Sequence, residues 1–183
     1  MESLSCKTTI REEMREIRDK LSPYRRVLAS HEALKSLKKK TRKKKVVLSY
    51  SSFQSELCLN ELNQWLSEHK TLVLPRVIDS HLSLFCVRDL SADLTMSSWG
   101  IAEPNPKNCE EVPAEKLDFA LIPALAFDSS CYRLGYGKGF YDRLLSLCKA
   151  KFSTVGVGFR EQLISCGLPV ESHDQPLNSI ALF

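Results

Sequence analysis

No stretch of this 183-residue chain is continuously apolar over the ~18 residues that a membrane-spanning helix requires. The amino terminus is charged at Lys7 and carries no secretory pattern, so a cytoplasmic protein is the expectation. Histidine is scarce, at four residues, and the seven cysteines (6, 58, 86, 109, 131, 148 and 166) form no CxxC pair. Neither a zinc ribbon nor a thioredoxin-like redox motif is available, and an odd count of scattered thiols fits a reducing compartment. There is no Ser–His–Asp or Cys–His arrangement, no GxxxxGK[ST] loop, and no strand-linked GxGxxG fingerprint. Repeats and low-complexity linkers are also missing, apart from one basic run.

What is present is ordinary for a globular chain: 43% hydrophobic residues and 26% charged ones. That length suits a single core rather than two. The net charge of +4 is unevenly placed, with SLKKKTRKKK running from Ser36 to Lys45. Such a run can bind nucleic acid, but no aromatic residues interrupt it to stack on bases, and a solvated basic helix end is the simpler reading.

The pattern divides the chain into a helical basic segment, residues 1–45, and an α/β core, residues 46–183. Ile10, Met14, Ile17 and Leu21 mark a first helix by their three-to-four-residue spacing. Ser22-Pro23 reads as an N-cap and first-turn proline, opening a second helix that carries Val27, Leu28, Leu34 and Leu37. Short apolar runs then predict strands at Val46–Tyr50, Thr71–Pro75, Leu82–Val87, Asp118–Pro123 and Ser153–Phe159, with SIALF as an edge strand. Helices are expected from near Glu56 through Leu66 and from Phe140 to Lys149, and a loop from Ser97 to Pro113. This alternation predicts a single-domain, three-layer α/β/α fold around a largely parallel, Rossmann-like sheet. Ligands in such folds bind beyond the carboxyl ends of the strands.

Chemistry concentrates between Leu121 and Leu145. Gly135, Gly137 and Gly139 alternate with Tyr136 and Lys138, and closely spaced glycines let backbone N–H groups converge on an anion. Arg133 and Lys138 add full charges, and a helix opening after Gly139 adds its amino-terminal dipole. Tight packing between strand and helix is the competing explanation for the glycines. Asp142 follows by one turn and suits Mg2+ on nucleotide phosphates. Asp128 reads as a turn cap.

The string FDSSCYRLGYGKGFYDRLL resembles, nearly position for position, the signature of 5-formyltetrahydrofolate cyclo-ligases. Weaker similarity follows in order along the chain at KTTIREEMREIR, YSSFQSELCLNEL, LPRV, WGIAEP, VGVGFREQL and HDQPL. The chain departs from the family pattern in the Leu-Cys-Leu-Asn after Glu56, and at Asn178, where an aspartate is common. The resemblance implies a monomeric enzyme that uses ATP and Mg2+ to convert 5-formyltetrahydrofolate, also in polyglutamylated form, to 5,10-methenyltetrahydrofolate. ADP and phosphate are released by way of an N5 imidate phosphate. It implies that Lys7, Arg11, Arg133, Gly135, Tyr136, Gly137, Lys138, Gly139, Phe140 and Tyr141 bind ATP, with Lys138 and Arg133 catalytic. Glu56, Ser51, Trp99 and Tyr141 would contact the folate, and Asp142 and Asp174 the metal. Two alternatives stay open from the residues themselves. One is a phosphate-binding enzyme of the same fold with another substrate, and the other a non-catalytic nucleic-acid-binding protein using the basic run.

Overall fold

The computed structural model describes residues 2–148 and 152–183, with side chains from Cys6 onward. Two helices lead, α1 (Glu2–Asp19) and α2 (Pro23–Thr41), the latter capped by Ser22, whose hydroxyl accepts from the Arg25 amide. There follow β1 (Val46–Leu48), α3 (Asn60–His69), β2 (Thr71–Ile78), β3 (His81–Val87), β4 (Leu94–Met96), β5 (Ala102–Pro104) and β6 (Phe119–Pro123). The chain then forms β7 (Ala126–Asp128), β8 (Arg133–Leu134), α4 (Phe140–Leu147), β9 (Ser153–Gly158), β10 (Leu163–Ile164) and β11 (Ser179–Leu182). The expected end of α4 at Lys149 lies outside the described residues.

Six strands form the central sheet in the order β11-β9-β6-β1-β2-β3, parallel throughout except for β3. Alternate side chains along each strand separate into two cores, as the two-residue period requires. Val47, Leu72, Leu74, Leu121 and Val155 share one with Ala29, Ala33 and Leu37 of α2 and Leu62 and Leu66 of α3. Leu48, Val73, Ala120 and Ile122 share the other with Leu144 of α4. Helices therefore cover both faces, the three-layer arrangement expected. Among the described residues no helix is long and apolar enough to cross a membrane.

Several local expectations need correction. The strand entered at Thr71 does not stop at Pro75 but continues to Ile78, with Pro75 opposite Leu84 of β3. Pairing with β1 has already ended at Val73, so beyond it β2 has an edge where a missing N–H costs no ladder bond. Glu56 is not in a helix; it lies in the loop that precedes α3, four residues before Asn60. The stretch 97–113 is not all loop, since β4 and β5 pair as a short hairpin turning at Trp99-Gly100. Beyond β6, the polar turn belongs to a second, three-stranded sheet, β10-β7-β8.

The helix faces also differ from the apolar spacing. Ile17 is 38% exposed, whereas Lys7, Met14 and Arg18 of α1 are buried. On α2, Val27 and Leu28 are exposed and the inward row is Ala29, Ala33, Leu37 and Thr41. Four-residue spacing of small side chains lets α2 lie close on the sheet, so alanine rather than valine marks the buried stripe.

Candidate functional site

Two cavities open beyond the carboxyl ends of β1, β2 and β6, and they share a wall. The first, about 290 Å³, is lined by aromatic and aliphatic groups including Tyr50, Phe53, Val77, Leu82, Trp99, Phe140 and Tyr141. Ser51, Glu56, Glu103 and Tyr136 supply its polar surface. The second, about 520 Å³, is lined by Lys7, Arg11, Gly137, Arg143, Ser146, Glu171, His173, Asp174 and Gln175. Arg133, Gly135, Lys138, Gly139 and Asp142 line both.

That wall is the glycine segment between β8 and α4. Gly137 and Gly139 have positive φ values of 94° and 62°, a region costly for any side-chain-bearing residue, and Gly139 is the cap of α4. Added bulk at Gly137 would also lie 3.5 Å from the Arg11 guanidinium. Arg11 Nε donates to the Gly135 carbonyl at 2.9 Å, which pins the segment to α1. Lys138, between the two strained positions, is exposed at the junction of the cavities.

Charge pairs organise the larger cavity. Lys7 Nζ donates to Glu171 Oε1 at 2.8 Å and Asp174 Oδ2 at 2.9 Å. Burial of Lys7 disfavours its charge, but the two carboxylates outweigh this and its pKa is raised. The Lys7 bond and charge depress Glu171. Asp174 is also depressed: burial opposes its ionisation, and the Lys7 and Glu171 backbone bonds overcome it. Arg133 Nη2 donates to Asp142 Oδ1 at 2.7 Å and its Nη1 to the Gln175 carbonyl at 2.7 Å. Gln175 in turn donates its amide to Asp142 Oδ1 at 3.4 Å, so both aspartates face one cavity from adjoining segments. Among the described residues no three His, Cys, Asp or Glu side chains converge on a cation position. Two carboxylates facing a phosphate-sized cavity nevertheless fit Mg2+, which is usually held by one or two carboxylates together with substrate phosphates.

Burial organises the smaller cavity instead. Tyr136 OH donates to Glu56 Oε1 at 2.9 Å, and the Phe53 amide donates to Oε2 at 2.9 Å. Arg18, with no exposed surface, donates from Nη2 to the Tyr136 hydroxyl at 2.7 Å and from Nε to Ser55 Oγ at 2.9 Å. Burial raises the Glu56 pKa despite the Phe53 amide, the Arg18 charge and the Tyr136 hydroxyl, and burial likewise raises Tyr136 and Tyr141. Glu103, on β5, is 7% exposed and is also raised by burial.

The residues read from sequence thus gather around one site. Lys7, Arg11, Gly135, Gly137, Lys138, Gly139, Arg133, Asp142 and Asp174 meet in the charged cavity. Tyr136, Phe140 and Tyr141 line the apolar one, with Glu56, Ser51 and Trp99. Arg18 and Glu103 went unrecognised. Arg18 continues the spacing Lys7, Arg11, Met14, Arg18 along one face of α1, a signal available in the sequence. Glu103 lies within WGIAEP but has no periodic signature. The departure at Asn178 falls outside both cavities, where its Oδ1 accepts from the Thr154 amide and hydroxyl.

Residues 4–182 match the model of the 5-formyltetrahydrofolate cyclo-ligase family. A 5-formyltetrahydrofolate cyclo-ligase of Haemophilus influenzae is 32% identical over 182 residues, covering 93% of this chain and 94% of that protein. A probable 5-formyltetrahydrofolate cyclo-ligase of Schizosaccharomyces pombe is 31% identical over 125 residues, an alignment that spans 62% of this chain and 61% of the yeast protein. The solution structure of Aquifex aeolicus 5,10-methenyltetrahydrofolate synthetase superposes with a TM-score of 0.84 at 34% identity, covering 95% of this chain and 88% of that one.

Proposed function

The chain belongs to the 5-formyltetrahydrofolate cyclo-ligase family, and we propose that it converts 5-formyltetrahydrofolate to 5,10-methenyltetrahydrofolate at the expense of ATP. The observation that carries this reading is the shared wall. A cavity lined by aromatic and aliphatic groups suits a reduced pterin, and a cation-lined cavity suits a triphosphate. Lys138, Arg133 and the glycine backbone stand where the two ligands would meet.

In this reading the formyl oxygen at N5 attacks the γ-phosphorus, the bond to the β,γ-bridging oxygen breaks, and ADP leaves. N10 then attacks the activated formyl carbon and loses its proton, and phosphate departs with the former formyl oxygen. Phosphoryl transfer of this kind needs placement and charge stabilisation more than a protein nucleophile. Lys7, Arg11 and Lys138 would hold the phosphates, with Gly135, Gly137 and Gly139 letting the backbone approach closely. Arg133, bonded to Asp142, would orient that carboxylate while facing both ligands. Asp142 and Asp174 would hold Mg2+, which when bound neutralises phosphate charge. Binding ATP in this way requires Lys7 to exchange carboxylate partners for phosphate oxygens. On the other side, Trp99, Phe140 and Tyr141 would cover the pterin, and Glu56 and Ser51 would orient it.

In this reading the enzyme acts as a monomer in a reducing, cytoplasmic setting, the latter supported by seven free thiols. Purified protein with 5-formyltetrahydrofolate, ATP and Mg2+ is expected to develop the near-ultraviolet absorbance of the methenyl product. A folded preparation that yields none would overturn the reading.

A further inference from the structure

Arg18 has no exposed surface and lines neither cavity. Its partners are hydroxyls rather than carboxylates. Nε donates to Ser55 Oγ, which donates to Asp19 Oδ1, and Nη2 donates to the Tyr136 hydroxyl, which donates to Glu56 Oε1. Two relays therefore run outward from one guanidinium, and each ends on a carboxylate. Asp19 is exposed, so water screens that arm. Glu56 is buried and lines the apolar cavity, so its arm is poorly screened. Nη1 has no hydrogen-bond partner among the described residues. Well-packed apolar side chains usually serve a core at least as well as a buried charge, so packing alone does not call for arginine here.

The direction of the second relay is fixed by its donors. A guanidinium only donates, and a phenol has one proton. With its oxygen accepting from Arg18, Tyr136 directs that proton to Glu56, while the Phe53 amide donates to Oε2. Each carboxylate oxygen can accept twice, so one acceptor site on each stays open. The Arg18 guanidinium also lies 5.7 Å from the centre of the Tyr136 ring, and Phe53 meets that ring edge-on at 6.1 Å. We infer that Arg18 is a positioning residue that, acting through the Tyr136 hydroxyl, keeps Glu56 a charged acceptor facing the apolar cavity. The groups acting on or with Glu56 are Arg18 from α1, Tyr50 after β1, Tyr136 from the glycine segment and Tyr141 from α4, and of these Arg18 is the cation. Arg133, Lys138, Glu103 and Asp142 line the same cavity and are untouched by a change at Arg18. Burial works against the Glu56 charge, and Arg18 works for it. This inference rests on the folate reading above and adds to it a residue that acts from outside the cavity.

Two measurements on the whole chain test it, the first without ligand. Carbon-13 labelling of the glutamate side chains, with Glu56→Gln to identify the signal, follows the Glu56 carboxyl through a pH titration. In Arg18→Met its midpoint is expected to move to higher pH. In Arg18→Lys, which restores the charge, it is expected to return most of the way to the parent's. Calorimetry then measures binding of 5-formyltetrahydrofolate over the same pH range. Arg18→Met is expected to lose about tenfold to a hundredfold in affinity on the acid side, as when a hydrogen bond to a charged acceptor is lost, and to recover towards the parent as pH rises. A merely structural arginine would weaken binding by the same factor at every pH. Affinity for ATP is expected to stay within about threefold, because Arg11 Nε still pins the glycine segment at the Gly135 carbonyl. Should Arg18→Met fail to fold, Tyr136→Phe removes the relaying hydroxyl, keeps the ring and carries the same directions in both measurements. An unmoved Glu56 midpoint in the folded variant overturns the inference, as does an equal loss of affinity at every pH. If the parent binds no folate, the functional reading fails and the positioning role with it; if it binds folate and the midpoint does not move, only the role of Arg18 falls.

Discussion

The two cavities on either side of the glycine wall reach their electrostatic character by opposite routes. In the apolar one, burial sets the direction, and Glu56, Glu103, Tyr136 and Tyr141 are all shifted towards their neutral forms. In the charged one, pairing prevails over burial, and Glu171 and Asp174 stay ionised against Lys7. In the proposed reading the first would take a flat, weakly charged ring, and the second an anion that takes over existing cation contacts. In the same reading the difference assigns reactivity to the wall rather than to either cavity, because only there would a neutral acceptor and a phosphate come together.

The sharpest way to break this comparison is at Lys138. It is exposed, it lines both cavities, and it sits between two glycines with positive φ. Lys138→Met keeps length and removes charge. Turnover is expected to fall by roughly two orders of magnitude or more, as when one transition-state donor is lost. Circular dichroism should be unchanged, since no core contact is removed. A folded variant with near-parental kcat and ATP KM would make the wall a packing feature only.

Much of this was legible beforehand, and the reasons for the rest are physical. Continuous apolar runs declared the parallel strands because both faces of the sheet are covered. The glycine string declared the wall because positive φ restricts residue choice. Glu56 was placed in a helix because Leu57, Leu59, Leu62 and Leu66 keep a helical rhythm, yet Leu57 and Leu59 are buried from the loop before α3. The strands β7, β8 and β10 are two or three residues long, too short to show a period. Arg18 shares a helix face with Lys7, Arg11 and Met14, but a fully buried arginine inverts the usual rule for helix faces. What offsets its burial lies far along the chain, in the hydroxyls of Ser55 and Tyr136, 37 and 118 residues away, and in the charge of Glu56, while its Nη1 has no hydrogen-bond partner among the described residues.

A smaller effect sharpens the contrast in protonation. Glu103 has a raised pKa in the folded state, so the folded protein binds its proton more tightly than the unfolded chain does. The stability this contributes is complete below the ordinary glutamate range and is lost as pH rises through the raised value. Thermal melts of the parent and Glu103→Gln are therefore expected to lie closest in acid. They should diverge, in favour of the variant, as pH rises through that window. A constant offset at every pH would show that burial does not govern the apolar cavity.

The smallest effect belongs to the opposite pole. The basic run ends at the amino edge of the sheet: Lys44 Nζ donates to Ser153 Oγ at 3.3 Å, at the start of β9, and Lys70 Nζ donates to the Arg42 carbonyl at 2.9 Å, beside the start of β2. The cavities open at the other edge, beyond Tyr50 and Pro123. Five residue steps lead from Lys45 to Tyr50, and at about 3.3 Å per step in an extended chain that is roughly twice the Debye length of about 8 Å in physiological salt. Field effects from these lysines at the glycine wall are accordingly screened. Replacing Lys43, Lys44 and Lys45 together with Gln is expected to leave kcat and both KM values within about threefold of the parent. Stability should fall slightly, because Lys44 lies 5.6 Å from the centre of the Phe119 ring. Losing a cation–π contact worth about 0.5–1 kcal/mol corresponds to about 1–4 °C in a domain of this size. Steady-state kinetics and a thermal melt on the same preparation separate the two effects. A melt unchanged but turnover abolished would mean that the amino edge of the sheet takes part in the reaction, and the division of labour between the poles would have to be given up.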